Sequence, residues 1–325
     1  LLAESNGLMQ FARLVGVYSL SGVFIILAGV GYFLMHTKRF KIALSFLVLL
    51  LLTAHVPLSN ERVYEGEVGL EIAVVDTYFE SRLNEIGAEQ FAQRQSLLEA
   101  VGTALKTNPD YLLLPEDARF FIGQADIDSF ELKYGSLNTI IVDSRTVQGG
   151  EGLNLEAYIY NSQTAESRQI AKRYLVPQGE YVPTAYSNLF TLFGQEAVVD
   201  YIEDHINYVV GGYTTQTNLP VDTPAILFCF ESVDPMGVRR LTQEHPHAPF
   251  VSHPISHAWF NQSEILWNQL DSMLRVQALW NNTYIVSASN QGRSQLYTPQ
   301  GSVLDMDEIA SGENWSVKKV EIFLP

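Results

Sequence analysis

Cys229, Glu116 and Lys172 are the side chains best placed to do chemistry. Cys229 is the only cysteine of the 325 residues and closes the run Ala225-Ile-Leu-Phe-Cys229. A short apolar run bounded by polar residues predicts a buried strand. The run breaks at Glu231 and Asp234-Pro235, so the thiol is expected at a strand end, where the backbone turns and a ligand can approach. A lone cysteine is most often a small buried hydrophobe. It becomes a nucleophile only where a neighbour takes its proton or stabilises its thiolate. Glu116 offers a base: it follows Tyr111-Leu-Leu-Leu-Pro115, again at the end of a short apolar strand. Lys172 offers a cation. It opens the stretch Ala171 to Pro183, where Pro177, Gly179 and Pro183 exclude a regular helix or central strand and leave a shaped loop that also carries Glu180. The ordinary fates of such residues are a solvated turn acid and a solvated surface lysine.

The elements that must hold these residues alternate along the chain. Strands are predicted over 69–76, 111–114, 139–142 and 157–160, and helices over 79–106 and about 126–133, with a glycine-rich loop at Gly149-Gly150-Glu151-Gly152. Alternation of this kind indicates a layered α/β domain. Ahead of it lies Leu14 to Met35, uncharged and long enough to span a bilayer core, and then Ile42 to Leu58, at the short limit for a span. Lys38, Arg39 and Lys41 lie between them, and short basic loops stay in the cytoplasm. The expected organisation is therefore residues 1–60 as a membrane segment with helices at about 14–35 and 42–58, and 61–325 as an extracytoplasmic domain. Residues 1–60 balance at +3 against −16 for the whole chain, which leaves −19 for the rest.

That acidity argues against nucleic acid, which needs clustered Lys and Arg. A single cysteine excludes an internal disulfide. His245, His247, His253 and His257 crowd one stretch, but Pro246, Pro249 and Pro254 break any shared helical face and no cysteine is nearby, so no metal is expected. Glycine-rich phosphate loops are absent, and no cofactor is implied.

Together, Pro115-Glu116, Lys172-Arg-Tyr-Leu-Val-Pro-Gln-Gly-Glu180-Tyr-Val-Pro183 and Cys229-Phe-Glu231 resemble the Glu–Lys–Cys signature of the nitrilase (carbon-nitrogen hydrolase) superfamily. The second motif is similar to that of the bacterial apolipoprotein N-acyltransferases. Ala258-Trp-Phe260, Ser289-Asn-Gln-Gly292 and Pro299-Gln-Gly301 resemble later landmarks of that family. The chain differs from it in Phe230 where tyrosine is usual, in Ser256-His257 where Asn-Asp is usual, and in Gln277-Ala-Leu-Trp280 where an Arg-Ala-x-Glu motif is usual. The resemblance is to a truncated or divergent member, since the family carries further helices before and after.

The resemblance implies a four-layer αββα nitrilase-like sandwich preceded by two transmembrane helices. It implies an acyltransferase in a bacterial inner membrane, its catalytic domain on the periplasmic or outer face. Glu116 is then the general base, Cys229 the nucleophile and Lys172 the oxyanion cation. Glu180, Phe230 and Glu231 support them, and Tyr181, Trp259 and Phe260 contact substrate. The acyl chain would pass from a phospholipid through a cysteine thioester to the N-terminal amine of a diacylglyceryl-cysteine lipoprotein. Two alternatives use the same residues differently: a membrane-anchored amidase with water as acceptor, and an inactive binding homologue.

Overall fold

The computed structural model describes residues 17–37, 42, 45, 68–80, 87–150, 152–177, 179–205, 208–260 and 263–324. The expected second span, 42–58, lies outside these residues except for Ile42 and Ser45. Helix α1 (Val17–His36) covers most of the first uncharged run, with Ile25, Ile26, Tyr32, Phe33 and Met35 exposed. Side chains of α1 are described only at Gly22 and over 25–36, and among the described residues no helix is long and apolar enough to cross a membrane.

Strand β1 (Val68–Thr77) runs through the middle of the domain. It pairs in parallel with β2 (Tyr111–Leu113) and antiparallel with β12 (Trp315–Leu324), from Val68 opposite Leu324 to Thr77 opposite Trp315. Beyond β2 come β3 (Ile140–Gln148), β4 (Leu153–Asn161) and β5 (Glu166–Ala171), the last two as an antiparallel meander. The other half is built on β6 (Ala225–Ile226), β7 (Val251–Ser256) and β8 (Ile285–Asn290), all parallel. Strand β9 (Gln295–Tyr297) runs antiparallel to β8 and β10 (Val303–Asp305) antiparallel to β9, while β11 (Asp307–Ser311) lies against β12. The halves meet where Thr77 of β1 pairs with Asn290 of β8.

Side chains alternate across a strand, and on β1 both faces are apolar. Ala73 and Val75 pack against Leu97, Val101 and Ala104 of helix α2 (Gly87–Leu105) and share that cluster with Phe130 of α3 (Gln124–Tyr134). Ile72 and Val74 face the other way, into a cluster with Ile226, Phe250 and Val286 from the second half. That half turns Ala225, Val251 and Ile285 toward Val238 and Leu241 of α6 (Gly237–Glu244) and Leu274 and Ala278 of α7 (Glu264–Asn281). The strands form one hydrogen-bonded sheet of two halves, with a core between them, α2 and α3 packed on the far side of one half and α6 and α7 on the far side of the other. Two further helices, α4 (Thr184–Leu192) and α5 (Glu196–His205), follow the Lys172 loop and pack on each other.

The structure departs from the sequence expectations in four places. The helix expected over 79–106 is seen over Gly87–Leu105, with Phe79 and Glu80 outside it. Strand β3 runs on past Val142 to Gln148, carrying the polar residues Asp143, Ser144, Arg145 and Thr146. Strand β5 has an exposed polar face and no periodic apolar signal. The run before Cys229 is strand only over Ala225–Ile226, and Cys229 opens a 3-10 helix, Cys229–Val233.

Candidate active site

Three chain turns meet at the ends of β2, β5 and β6. The first leaves β2 and carries Glu116. The second leaves β5, where the Lys172 backbone N–H still donates to the Leu155 carbonyl at 2.8 Å. The third leaves β6 and carries Cys229, whose carbonyl accepts from Ser232 Oγ at 2.6 Å inside the 3-10 turn.

Lys172 is the centre of the arrangement. Its side chain is 1 % exposed, and Nζ donates to Glu116 Oε1 at 3.1 Å and to Glu180 Oε1 at 2.6 Å. The other oxygen of Glu180 accepts from the Val176 backbone N–H at 2.7 Å, which closes the proline-rich loop on itself. Glu231 joins this loop to the cysteine turn. Its Oε1 accepts the Arg173 and Tyr174 backbone N–H groups at 2.6 and 3.2 Å, and its Oε2 accepts the Phe228 N–H at 3.1 Å. Arg173 extends the joint outward through Glu244, at 2.8 and 2.9 Å, and the Thr214 carbonyl. Thus Glu231 holds Lys172 and Cys229 in register through three main-chain bonds. At the end of β8, Asn290 takes the Thr77 hydroxyl and Phe79 N–H and donates to Phe79 O and Ser256 Oγ, tying the ends of β1 and β7 together.

The electrostatics follow from burial and crowding. Burial pushes the Glu116 carboxyl up to about 7, against the pull of the Lys172 ammonium; the nearby Glu180 charge adds to the rise. One cation between two carboxylates cannot fully satisfy both, and the more enclosed acid gives way. Lys172 is itself penalised by burial, yet Glu116, Glu180 and Cys229 hold it above the ordinary lysine range. The Cys229 thiol is raised well above its usual value by burial and by Glu116, while Lys172 and the Ser256 backbone oppose the rise. Near neutral pH the set is a thiol, a carboxyl poised to exchange a proton, and a fixed ammonium. Glu231 is likewise raised to about 7 by burial, opposed by the N–H groups it accepts.

The residues predicted from sequence divide clearly. Glu116, Lys172, Cys229, Glu180 and Glu231 converge. Tyr181 and Phe230 line an open groove of ≈ 700 Å³ together with Tyr174, Leu175, Tyr208 and Val210. The groove also holds Arg173, so its wall contains the chain neighbours of Lys172, Glu180 and Cys229. Phe260 does not line it; it is half-exposed on the turn Ala258–Phe260 after β7. Trp259 is on the same turn, and its side chain lies outside the described residues. The histidines disperse. His245 Nε2 bonds Thr223 O at 2.8 Å, His247 is exposed, and burial pushes His253 and His257 down to about 3 and about 4, so both are neutral at pH 7. Among the described residues no group of three His, Cys, Asp or Glu is placed to hold a metal. Ser144 and Thr146 were not foreseen; they are short polar residues of β3 and carry no motif. Asn290 lies in the Ser289-Asn-Gln-Gly292 motif, with no role of its own expected for it.

No family model matches the chain, and no curated protein matches it. Solved structures do. Saccharomyces cerevisiae Nit3, a member of branch 10 of the nitrilase superfamily, aligns with a TM-score of 0.52 at 13 % identity over 78 % of this chain and 89 % of that one. The Caenorhabditis elegans NitFhit protein gives 0.48 at 14 % identity, over 78 % of this chain and 61 % of its own. XC1258 from Xanthomonas campestris, a CN-hydrolase superfamily protein with an arsenic adduct in the active site, gives 0.49 at 14 % identity, over 78 % and 91 %. At such identities the likeness, carried by the first of these, establishes the fold alone: a mixed α/β nitrilase-like fold.

Proposed function

We propose that this nitrilase-like fold carries a cysteine acyl-transfer centre, with Cys229 as nucleophile, Glu116 as general base and Lys172 as the cation facing the developing oxyanion. One observation carries the reading: the buried Lys172 ammonium is bound by Glu116, from the end of β2, and by Glu180, and lies within electrostatic reach of Cys229, from the end of β6. Glu116 takes the Cys229 proton. The thiolate attacks an acyl carbonyl, and the tetrahedral oxyanion is stabilised by Lys172 and a backbone N–H in the first turn of the Cys229–Val233 helix. Collapse expels the leaving group, which takes the proton from Glu116 and leaves a thioester on Cys229. An incoming nucleophile then gives its proton to Glu116, attacks the thioester and returns the thiolate, which recovers the proton.

The finer reading is acyl transfer from a phospholipid to the amine of a diacylglyceryl-cysteine lipoprotein, at the outer face of a bacterial inner membrane. Three features support it. The groove beside the site is lined mainly by Tyr, Leu, Pro, Val and Phe. Helix α4, directly after the Lys172–Pro183 loop, buries none of its residues and exposes Tyr186, Leu189 and Leu192; Phe193 follows at 70 % exposure. An exposed apolar surface beside a pocket marks a lipid or ligand contact. The exposed apolar side chains of α1 and the basic residues Lys38, Arg39 and Lys41 suit an anchor with the domain outside. A hydrolase using water shares every step as far as the thioester, and the fold of Nit3 is compatible with it.

Mass spectrometry after incubation of the full chain with labelled phospholipid in detergent tests the reading. The expected result is an acyl adduct on Cys229 that passes to a diacylglyceryl-cysteine peptide amine. Free fatty acid with no N-acyl peptide selects the hydrolase. Absence of an adduct, with intact protein and donor, rejects the acyl-transfer centre.

A further inference from the structure

The turn that carries Glu116 is held by the neighbouring strand β3. Ser144 of β3 is fully buried. Its hydroxyl donates to the Pro115 carbonyl at 3.2 Å and accepts from the Asp117 backbone N–H at 2.7 Å. Those are the two peptide units on either side of Glu116, so one hydroxyl straddles the residue. The Ser144 carbonyl takes the Arg119 N–H at 2.9 Å, and the Val142 carbonyl takes the Leu114 N–H at 3.0 Å. Two positions further along β3, Thr146 donates to Asp117 Oδ1 from its backbone N–H at 2.9 Å and from Oγ1 at 3.0 Å. Asp143 Oδ2 accepts the Phe121 N–H at 2.8 Å, and Arg145 Nη1 donates to the Phe121 carbonyl at 2.7 Å.

The turn needs this much holding. Asp117 and Arg119 have φ of +57° and +56°, the left-handed region that costs a side-chain-bearing residue free energy. The two residues are bound to each other through Arg119 Nε and Nη2 on Asp117 at 2.7 and 2.8 Å. The bonds from β3 therefore select a backbone shape that the turn does not prefer, and that shape aims the Glu116 carboxyl at Lys172.

We propose that Ser144 and Thr146 are positioning residues for Glu116, acting through the peptide units around it. This rests on Glu116 being the base of the proposed centre. The prediction concerns proton transfer and not fold alone, because a carboxyl misplaced by about 1 Å loses up to about a hundredfold in rate.

Cys229 is the only cysteine, so its alkylation by iodoacetamide can be followed by mass across pH 5 to 9 in the full chain in detergent, independently of any substrate. Glu116→Gln is expected to slow alkylation and flatten its pH dependence. Ser144→Ala is expected to be slower than wild type at pH 7 by on the order of ten- to a hundredfold, with a displaced pH profile. Thr146→Val keeps its shape and its backbone bond to Asp117, so it is expected to show a smaller change in the same direction, and it serves if Ser144→Ala does not fold. Folded Ser144→Ala and Thr146→Val with the wild-type profile, beside an altered Glu116→Gln, overturn the positioning role alone. A merely structural role would lower the melting temperature and leave the profile in place, which also overturns it. Glu116→Gln with the wild-type profile overturns the catalytic reading and the positioning role together.

Discussion

Replacing Lys172 by methionine removes the cation at the centre of the site and keeps most of its volume. The side chain is 1 % exposed and serves two carboxylates, so its loss leaves buried acid without a counter-charge. Breaking a buried pair by removing one partner costs about 3–5 kcal/mol, a large part of an ordinary domain's margin of roughly 5–15 kcal/mol. The pH dependence of that cost identifies its source. Glu116 in the wild type is raised to about 7, so its stabilising contribution is present below its unfolded value near 4.5 and is lost as pH rises toward 7. In Lys172→Met the same carboxyl titrates higher still, since the ammonium that lowers it is gone. Below pH 7 both proteins hold Glu116 protonated and Glu116 adds nothing to the difference. Above pH 7 only the wild type ionises it freely, and the variant falls behind by up to about 1.4 kcal/mol per pH unit. Urea unfolding at pH 6, 7, 8 and 9 of wild type, Lys172→Met, Glu116→Gln and the double variant measures this. The expected gap widens from pH 7 to 9 and stops widening in the Glu116→Gln background. A gap constant from pH 6 to 9, or a slope that survives Glu116→Gln, refutes the coupling.

Three further outcomes concern turnover. Cys229→Ser is expected to abolish acyl transfer from labelled phospholipid to a lipopeptide amine, because a hydroxyl is a far weaker acid than a thiol, while Lys172→Arg keeps the charge but loses on the order of 100- to 1000-fold, the planar fork being unable to replace a compact ammonium aimed at one oxygen; near-native turnover of Cys229→Ser would exclude the thioester. The rate under substrate-limiting conditions should rise through about pH 7 as Glu116 loses its proton, and a flat profile from pH 5.5 to 8.5 would remove Glu116 from the role of base.

The sequence made the apolar strands legible and the polar ones obscure. Residues 69–76 and 111–114 could be read because β1 and β2 are buried on both faces and contain unbroken aliphatic runs. Strand β5 could not, since Glu166, Ser167, Arg168 and Gln169 are exposed and only Ile170 and Ala171 enter the core. At the site, Glu116 and Cys229 stood out because each sits where an apolar run breaks near a proline or an acid, and Lys172 because it opens a loop carrying Pro177, Gly179 and Pro183. Glu231 was expected to be an accessory acid; three main-chain donors fix its position, and no sequence pattern records main-chain donors. Ser144 was invisible for the same reason. Its importance comes from which peptide groups cross above it, and that is decided by the pairing of β2 with β3. The 3-10 turn at Cys229 replaced an expected strand end because the Phe228 carbonyl takes the Glu231 N–H at 2.8 Å and the Glu231 carboxylate takes the Phe228 N–H in return.

The long pairing of β1 with β12 bears on how such a domain is made. Among the described strands, β1 leaves the ribosome first during synthesis and β12 last, with Val68 paired in the end with Leu324. Ile72, Ala73, Val74 and Val75 must therefore wait, apolar on both faces, until more than two hundred further residues have emerged. Loop-closure entropy makes contacts of such separation slow to form, and an unpaired apolar strand left exposed in the meantime invites pairing with another chain. The junction of the two halves inherits that delay, because Asn290 reaches Thr77 and Phe79 only once β8 has docked beside β1. A nascent chain halted before β8 would carry Glu116, Lys172 and Cys229, and lack the side chain that ties the end of β1 to Ser256 of β7.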